Sequence, residues 1–535
     1  MKYEKILTMD TSEALSVKLH DVLFSYHFAI GGLFLSYLVY RIIHSIIDDN
    51  NYMQTKYRIN GHTWRSIQCN KSIPYNSCCI VCGKLMLPLV GLFCECCAVS
   101  ACKGCHRVLD KKLRCKQVTW PADKQFYHQW VNVGTSRGEN SDNNEEGEVL
   151  KKFYCSWCQR IKICNENLTN DNEECDFQKY RNIIIPPTCV QMSRGNVVQI
   201  KPIPESDWEP LIILANRKSG SNRTDEVLSL FRGLLNPIQV IDISACPPEG
   251  VARWLPARCR VLVGGGDGTV AWTLSALRSH AHLRAAVGIL PMGTGNDLSR
   301  SLGWGPGCSH LDAHAIIDTV TRAEEQLLDR WKVTIRPRRS RLGRLRAERV
   351  LLAYNYASVG VDAQVALDFH RARAQFLARY ASRWLNYAAY AVLGAGRAFD
   401  AGGCGDLERR MRVEADGRVV PLPPVQALVL LNIPCWGAGV NLWSMGSDYV
   451  PDQCISDRKF EVVGISSSIH IARLQCGLAE PFRFTQASRV EIELNGTCAM
   501  QVDGEPWMQG PATITMEHDG QSLVLRAPPL EEISQ

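Results

Sequence analysis

The fold of this chain is decided by the stretch Arg260-Val261-Leu262-Val263-Gly264-Gly265-Gly266-Asp267-Gly268-Thr269. A short β-branched run ends in a cluster of glycines, and residues 270–277 that follow have a helix-like composition. A strand, a glycine turn and a helix in that order bring backbone N–H groups and a helix N-terminus to one point, which favours negative charge. A tight turn that needs positive φ is the simpler interpretation, but four glycines interleaved with Asp and Thr favour a phosphate-binding loop. The pattern is neither a Walker loop nor a dinucleotide GxGxxG motif.

The segments around this stretch alternate between strand-like and helix-like patterns. Residues 211–215 and 240–243 read as strands, and a helix is predicted over 225–235 between them. With a fourth strand over 287–290, this alternation indicates a parallel sheet covered by helices. Loops that follow parallel strands meet at one edge of the sheet, where ligands bind. The phosphate-binding candidates on these loops are Asn216, Ser219, Gly220, Gly264, Gly265, Gly266, Gly268, Thr269, Gly293, Thr294, Gly295, Asn296 and Asp297.

Length, charge and cysteine content bound the rest of the molecule. At 535 residues the chain should hold several domains, because single hydrophobic cores stop growing near ~250–300 residues. The formal charge of +6 is small for this length and does not indicate a nucleic-acid partner. Fifteen of the 23 cysteines precede residue 190. CxxC pairs close to histidines indicate zinc rather than disulfides, and therefore a reducing compartment.

An apolar stretch occupies residues 22–47 of an N-terminal segment over 1–50. Its uncharged part is at the lower limit of a membrane span, and the cleavage site of a signal peptide is missing. A buried core helix is the alternative. We expect a membrane anchor, spanning or re-entrant, and basic residues after it favour a cytosolic C-terminal side if it spans.

A first cysteine-rich block spans residues 60–116. Its eight candidate ligands, enough for two tetrahedral zinc sites, are His62, Cys79, Cys82, Cys94, Cys97, Cys102, Cys105 and Cys115. The block resembles the diacylglycerol-binding type of zinc domain first seen in protein kinase C, although Cys102 stands where that family usually has histidine. The resemblance implies interleaved ligands, with one ion on His62, Cys94, Cys97 and Cys105 and the other on Cys79, Cys82, Cys102 and Cys115.

A second cysteine-rich block, residues 126–190, is weaker. Its candidate ligands for one zinc site are His128, Cys155, Cys158 and Cys164. Cys175 is left over, and a polar acidic insert occupies the place of an earlier CxxC pair. We therefore expect a degenerate zinc domain with a single site.

The motifs of the remaining chain resemble one family. Residues 264–269 and the later stretch Pro291-Met292-Gly293-Thr294-Gly295-Asn296-Asp297-Leu298 resemble the catalytic domain of eukaryotic diacylglycerol kinases. Residues 355–363, 432–439 and 501–507 resemble the accessory domain of that family. With a membrane-type segment and two cysteine-rich blocks in front, the layout is similar to the epsilon type.

The resemblance implies a multidomain chain that ends in a two-lobe lipid-kinase domain. Its α/β lobe with a parallel sheet would span residues 206–335, and its accessory β-rich lobe residues 336–530. Period-two alternation over 490–494, 499–502 and 512–516 indicates antiparallel strands, so the accessory lobe is predicted to be a β-sandwich.

The implied activity is the ATP- and Mg²⁺-dependent phosphorylation of diacylglycerol to phosphatidic acid, in lipid second-messenger and phosphoinositide turnover. Asp267 would be a carboxylate at Mg²⁺, Asp503 the general base, and Glu505 a support for the metal or a neighbour. Which aspartate serves which role is open from sequence alone. A hairpin Asp-Gly turn is the alternative for Asp503, and a helix N-cap is the alternative for Asp297, with Asn296 as a rival.

Partners and location follow from the same resemblance. It implies ATP, Mg²⁺ and structural Zn²⁺ as cofactors. The enzyme would be membrane-associated, at the endoplasmic reticulum and/or plasma membrane, with its catalytic domain in the cytosol. The basic run 336–346 indicates either a solvated loop or contact with anionic lipid headgroups. A kinase for another lipid alcohol and an inactive diacylglycerol-binding scaffold are the alternative functions.

Overall fold

The computed structural model of the chain describes residues 35–37, 39, 61–66, 79–84, 91–137, 149–164, 173–204, 207–217, 223–308, 311–338, 347–372 and 404–529. The chain divides into two compact units, Met1–Arg114 and Cys115–Gln535. Within the described ranges, no helix is both long enough and apolar enough to cross a membrane. The predicted anchor over 22–47 lies outside the described residues, apart from the helical residues 35–37 and 39. Most of the basic run 336–346 lies outside them as well.

The described part of the first unit is small and built around short strands. Its elements are β1 (Trp64–Ser66), β2 (Gly91–Cys94), β3 (Ser100–Cys102) and α1 (His106–Lys112). The three strands form one antiparallel sheet, in which Trp64 lies opposite Cys94 and Gly91 lies opposite Cys102. Two cysteines therefore sit at strand ends, where the adjoining turns carry further cysteines.

The second unit contains the remaining elements. The strands are β4 (Trp130–Arg137), β5 (Val149–Cys155), β6 (Ile161–Cys164), β7 (Val190–Ser193), β8 (Asn196–Ile200), β9 (Leu211–Ala215), β10 (Val240–Asp242), β11 (Arg258–Gly265), β12 (Arg284–Pro291), β13 (Glu324–Pro337), β14 (Arg349–Ala353), β15 (Tyr356–Gly360), β16 (Met411–Ala415), β17 (Arg418–Val419), β18 (Ala427–Leu431), β19 (Cys435–Trp436), β20 (Val440–Asn441), β21 (Phe460–Ile465), β22 (Phe482–Ala487), β23 (Arg489–Leu494), β24 (Cys498–Val502), β25 (Glu505–Gln509) and β26 (Ala512–Arg526). The helices are α2 (Thr224–Leu234), α3 (Pro248–Ala252), α4 (Asp267–Arg278), α5 (Asp297–Ser301), α6 (Ala313–Arg322), α7 (Val361–Ala372), α8 (Leu407–Arg410) and α9 (Ser468–Gln475).

The predicted α/β alternation is present. Strands β9 to β12 are parallel to their neighbours in the order β10-β9-β11-β12. Each is largely buried, which explains why their sequences are apolar runs rather than alternating patterns. After β9 the chain forms β10 on one side of β9, and it then crosses to form β11 on the other side. The carboxyl ends of β9 and β11 therefore flank a topological switch point, where open α/β sheets bind ligands.

The predicted β-sandwich is also present, but its boundary with the α/β lobe differs from the predicted one. Strand β26 lies beside β12 and then pairs along β13 and β23, so the parallel sheet continues into an antiparallel one. A second, six-stranded antiparallel sheet has the order β22-β21-β18-β15-β24-β25. The core between the two sheets contains Val333, Val359, Leu428 and Ile514 among many apolar side chains. The predicted lobe boundary at 335/336 falls inside β13, so the two lobes share strands.

The second cysteine-rich block packs in the same core as the α/β lobe. Cys155, Trp157 and Cys158 belong to one apolar cluster with Ile213 of β9 and Phe231 of α2. The block is thus an integral part of the second unit.

Candidate functional site

Loops after three parallel strands meet at the switch point. Asn216, which follows β9, donates from Nδ2 to Thr269 Oγ1 of α4 over 3.3 Å. The loop after β12 joins them, because the N–H of Met292 donates to the carbonyl of Gly265 over 2.9 Å. Ser219 and Gly220, predicted on the first loop, lie outside the described residues. The other phosphate-binding candidates therefore surround one point.

Glycine is required where two of these loops touch. A Cβ built on Gly293 would lie 2.5 Å from the Cα of Gly266, and one built on Gly266 would lie 3.0 Å from the Cα of Gly293. Both neighbours are backbone atoms that cannot rotate away. Gly265 faces Thr269 in the same way, at 2.6 Å from its Cβ. The glycines thus serve close contact between backbones, which brings the N–H groups of both loops together.

Asp267 begins α4 and points to the next loop. Its Oδ2 accepts the N–H of Asp297 over 3.1 Å, and its Oδ1 accepts the N–H of Leu298 over 3.0 Å. Both N–H groups belong to the first turn of α5, so Asp267 does what an N-cap side chain does, from a distant part of the sequence. Neither Asn296 nor Asp297 caps this helix with its side chain.

Asn296 instead holds the shape of its loop. It is in the left-handed conformation with φ of 54°, and its side-chain Oδ1 accepts the N–H of Gly293 over 3.0 Å. Its Nδ2 donates to the carbonyls of Gly293 and Pro306. These bonds fix the position of Thr294 and Gly295 between Gly293 and α5.

Asp297 is a buried carboxylate with spare bonding capacity. It is 4% exposed, and among the described residues its Oδ1 has no hydrogen-bond partner. Burial first, and then repulsion by the charge of Asp267, raises its pKa to about 7. Backbone N–H groups of Ala438 and Gly439 and the nearby Arg300 act in the opposite direction. An unbalanced pair of carboxylates of this kind fits a divalent cation, which prefers oxygen ligands.

Asp503 lies in a two-residue hairpin turn between β24 and β25. Its φ of 48° and the φ of 82° at Gly504 are both positive, as a type I′ turn requires. Its carboxylate accepts the N–H groups of Tyr354, Asn355 and Tyr356 over 2.8, 2.8 and 3.0 Å. Desolvation raises its pKa to about 6, against these hydrogen bonds.

The residue that links these carboxylates is Asn355, which the sequence analysis missed. Its backbone N–H donates to Asp503 Oδ1 over 2.8 Å, and its side chain counters the rise in the pKa of Asp267 that burial causes. It is 3% exposed. A buried asparagine at the start of the 355–363 motif was the available signal, but its partners lie far away in sequence. Glu505 is exposed across from the glycine loop, where a Cβ on Gly268 would lie 3.9 Å from Glu505 Oε1.

The first unit brings seven ligand atoms of the first cysteine-rich block into two groups. The groups are His62, Cys94 and Cys97, and Cys79, Cys82, Cys102 and Cys105, each with its atoms within 4.8 Å of one another. Cys97 Sγ lies 3.3 Å from His62 Nδ1, and Cys82 Sγ lies 3.9 Å from Cys102 Sγ. These separations suit tetrahedral zinc, whose sulfur ligands stand about 3.8 Å apart.

The grouping corrects the predicted one, because Cys105 rather than Cys115 lies with Cys79, Cys82 and Cys102. The physical reason is the short Cys102–Cys105 turn, in which the N–H of Cys105 donates to the carbonyl of Cys102 over 2.9 Å. A CxxC turn of this kind presents both sulfurs to the same ion. The Nε2 of His62 meets the carbonyl of Leu113 over 3.0 Å, which leaves Nδ1 for a metal.

The second block brings together His128, Cys155, Cys158 and Cys175, all buried. Cys175 therefore occupies the place predicted for Cys164, which ends β6 and is not in the group. An isolated bridge between Tyr127 and Glu174 sets this arrangement, together with the bond from the Cys175 N–H to the carbonyl of Phe126. The spacing of the cysteines in the sequence could not show this group, because the Tyr127–Glu174 bridge joins segments on either side of the polar acidic insert.

Two protein-family models match the chain. The Diacylglycerol kinase catalytic domain matches residues 210–329, and the Diacylglycerol kinase accessory domain matches residues 352–506. Both matches lie on the elements that build the site above.

Curated relatives agree with these matches. Probable diacylglycerol kinase 3 of Caenorhabditis elegans is 29% identical over 87% of this chain and 64% of that protein. Diacylglycerol kinase theta of Rattus norvegicus is 36% identical over 57% of this chain and 34% of that protein. Diacylglycerol kinase 1 of Arabidopsis thaliana is 37% identical over 60% of this chain and 45% of that protein. The chain therefore spans from about one third to somewhat under two thirds of the length of these relatives.

Proposed function

Since the chain belongs to the diacylglycerol kinase family, we propose that it transfers the terminal phosphoryl group of ATP to the free hydroxyl of diacylglycerol, giving phosphatidic acid. The observation that carries the proposal is the meeting of three strand-end loops beside a cluster of carboxylates. Phosphoryl transfer needs a phosphate held in line and its charge neutralised, and this site offers groups for both tasks.

Each group has a proposed role. The backbone around Gly266 and Gly293, with Thr269, cradles the nucleotide phosphates. Asp267 and Asp297 hold Mg²⁺, which supplies charge neutralisation at the phosphates when bound. The free Oδ1 of Asp297 supports this assignment. Asp503 is proposed to receive the proton of the lipid hydroxyl in addition to anchoring Asn355, and Glu505 to support the metal across from Gly268.

Further proposals concern the surroundings of the site. The histidine and cysteine groups take structural Zn²⁺. The substrate places the enzyme at a membrane, at the endoplasmic reticulum and/or plasma membrane with the catalytic lobe in the cytosol, facing anionic headgroups. The epsilon type rests on the layout of the chain alone, because the relatives named above are of the theta type, of type 3 and from a plant.

The test is transfer of labelled phosphate from ATP to diacylglycerol in mixed micelles. We expect wild-type activity and a loss of at least about 100-fold in Asp267→Asn, because a charged group at the transferring phosphate is removed. Asp318→Asn, on the exposed side of α6, is the matched control and should keep full activity. Label on another lipid alcohol in preference to diacylglycerol would change the substrate, and a folded, zinc-loaded wild type without any transfer would point to a lipid-binding scaffold.

A further inference from the structure

The histidine and cysteine group of the second block lies within the core of the α/β lobe. His128 is 6% exposed, Cys155 0%, Cys158 2% and Cys175 4%. Cys158 Sγ lies 3.4 Å from His128 Nδ1, and the four ligand atoms lie within 4.8 Å of one another. One histidine and three thiolates in this geometry fit a tetrahedral zinc-type ion. No second group of such residues occurs in the described part of this block.

The turn that carries two of these ligands also carries a buried tryptophan. Trp157 stands between Cys155 and Cys158 and is 0% exposed. Its ring makes edge contacts with Phe126 at 5.4 Å and Phe177 at 6.0 Å, and its Nε1 donates to Gln129 over 2.8 Å. An ion that fixes the cysteine turn thereby fixes the position of this ring.

Trp157 in turn positions a buried ammonium group. Lys116 Nζ lies 4.7 Å from the centre of the Trp157 ring, and the residue is 3% exposed. It donates to the carbonyls of Arg232, Gly233 and Leu235 over 3.4, 3.2 and 2.8 Å. These carbonyls end α2, where unpaired C=O groups and the helix dipole favour a cation.

Helix α2 connects this point to the nucleotide loops. At its N-terminus, Thr224 Oγ1 donates to the carbonyl of Asn216 over 3.2 Å. Just beyond its C-terminus, Asn236 Nδ2 donates to Ile185 O over 2.9 Å and Gln239 Nε2 to Ile183 O over 2.9 Å. Both amides are fully buried. The cysteine-rich block and the α/β lobe are therefore held together by polar bonds as well as by a common core.

We infer that the zinc-type ion bound by His128, Cys155, Cys158 and Cys175 is a structural part of the catalytic lobe. By fixing the cysteine turn, the ion keeps the ring of Trp157 against the ammonium group of Lys116. Lys116 in turn binds the carbonyl groups at the C-terminus of α2. Loss of this ion loosens α2 first, because the ammonium group then lacks its support. The block therefore works as an internal brace of the lobe rather than as a separate lipid-sensing module.

The test measures metal content and amide hydrogen exchange on the full chain. Cys175→Ser should lose one zinc ion per chain relative to wild type, and the amides of residues 224–235 should exchange about tenfold faster or more. Cys164→Ser is the matched control, and it should keep both the wild-type zinc content and the wild-type exchange. Full zinc content in Cys175→Ser, or loss of the ion without faster exchange in α2, would overturn the inference.

A second measurement covers the case in which Cys175→Ser does not fold. Wild-type chain is treated with a mild zinc chelator, and alkylation of Cys175 reports when this ion has left. Exchange in residues 224–235 should rise in step with that alkylation, and unchanged exchange would overturn the inference. Lys116→Met should keep every zinc ion but show faster exchange confined to the end of α2. Neither experiment contains ATP or lipid, so a failure of the proposed kinase activity would not affect the outcome.

Discussion

Three aspartates at the site differ in what their oxygens already bind. Asp267 accepts two N–H groups of α5, and Asp503 accepts three from residues 354–356. Asp297 alone keeps an oxygen without a partner among the described residues. Asp267 and Asp503 therefore fix backbone segments of the site. Under the proposed function, Asp297 would offer Mg²⁺ the oxygen that is still unbound, beside the carboxylate of Asp267.

The raised pKa of Asp297 predicts how stability depends on pH. Between its ordinary pKa of 3.8 and its folded value of about 7, the folded carboxyl keeps a proton that the unfolded one has lost. The folded state then binds more protons, so this group lowers the free energy of unfolding as pH rises from about 4 to 7. Urea titrations of the ligand-free protein should show this slope, and it should be weaker in Asp297→Asn.

The same variant separates stability from function. At pH 8, Asp297→Asn should be at least as stable as wild type, since the repulsion with Asp267 is gone. Its kinase activity should fall about 100-fold or more, and Mg²⁺ should raise its melting temperature less than that of wild type. An equal rise in both proteins would contradict a role of Asp297 at the metal.

Gly293 offers a steric test of the loop contact. In Gly293→Ala the new methyl group would meet the Cα of Gly266 at 2.5 Å, so the two loops must separate. We expect a loss of about 1–3 kcal/mol in the free energy of unfolding and a raised KM for ATP. Gly250→Ala, in helix α3 with ordinary contact at 3.7 Å, is the control and should be neutral or slightly stabilising. Unchanged ATP affinity in Gly293→Ala would contradict the phosphate cradle.

At the scale of elements, local patterns were sufficient for the strands and helices themselves. The helix predicted over 225–235 is α2, and the strand predicted over 287–290 is the centre of β12. Contacts between distant elements were not predictable, since nothing in the sequence near α5 indicates that the carboxylate of Asp267 caps the N-terminus of this helix. Cys175 is a similar case. The β-bridge between Tyr127 and Glu174 that positions it joins two segments that the polar acidic insert separates in the sequence. The motifs thus predicted candidate residues, and the structure showed what the described ones contact.

The β24–β25 hairpin gives a prediction about how Asp503 acts. Asn tolerates the left-handed φ at this position, so Asp503→Asn should keep the turn but lose up to two of three backbone hydrogen bonds. We expect a loss of about 2 kcal/mol in the free energy of unfolding, together with reduced activity as Asn355 shifts under Asp267. Glu505→Gln, at an exposed position, should change stability by less than about 0.5 kcal/mol. An Asp503→Asn variant that is as stable as wild type yet inactive would favour proton acceptance over anchoring.

Across the second unit, the lobes are joined by strands rather than by a linker. Strand β13 pairs with β26 along its whole length, from Glu324 opposite Arg526 to Pro337 opposite Ala512. At the middle of β13, Asn432 of the sandwich donates to the carbonyl of Asp329, and Trp331 Nε1 donates to Asn432 over 2.7 Å. Sequence could not show this, because a long strand and a domain boundary look alike where no turn residue intervenes.

Shared strands predict that both lobes unfold together. Leu428 is fully buried in the sandwich, on strand β18, and Leu428→Ala should cost about 2–5 kcal/mol. If the lobes were independent domains, this loss would be confined to the sandwich. In a cooperative unit it must also lower the stability of β9 in the other lobe, because the core around Leu428 also contains side chains of β13 and β26, which belong to the same sheet as β9. Hydrogen exchange of residues 211–215 in rising urea measures this, because in a cooperative unit its midpoint falls together with that of residues 427–431. Val227→Ala, in the core of α2, is the reciprocal variant and should lower both midpoints in turn. A midpoint for 211–215 that stays at the wild-type value in Leu428→Ala would mean that the lobes fold separately despite the strands they share.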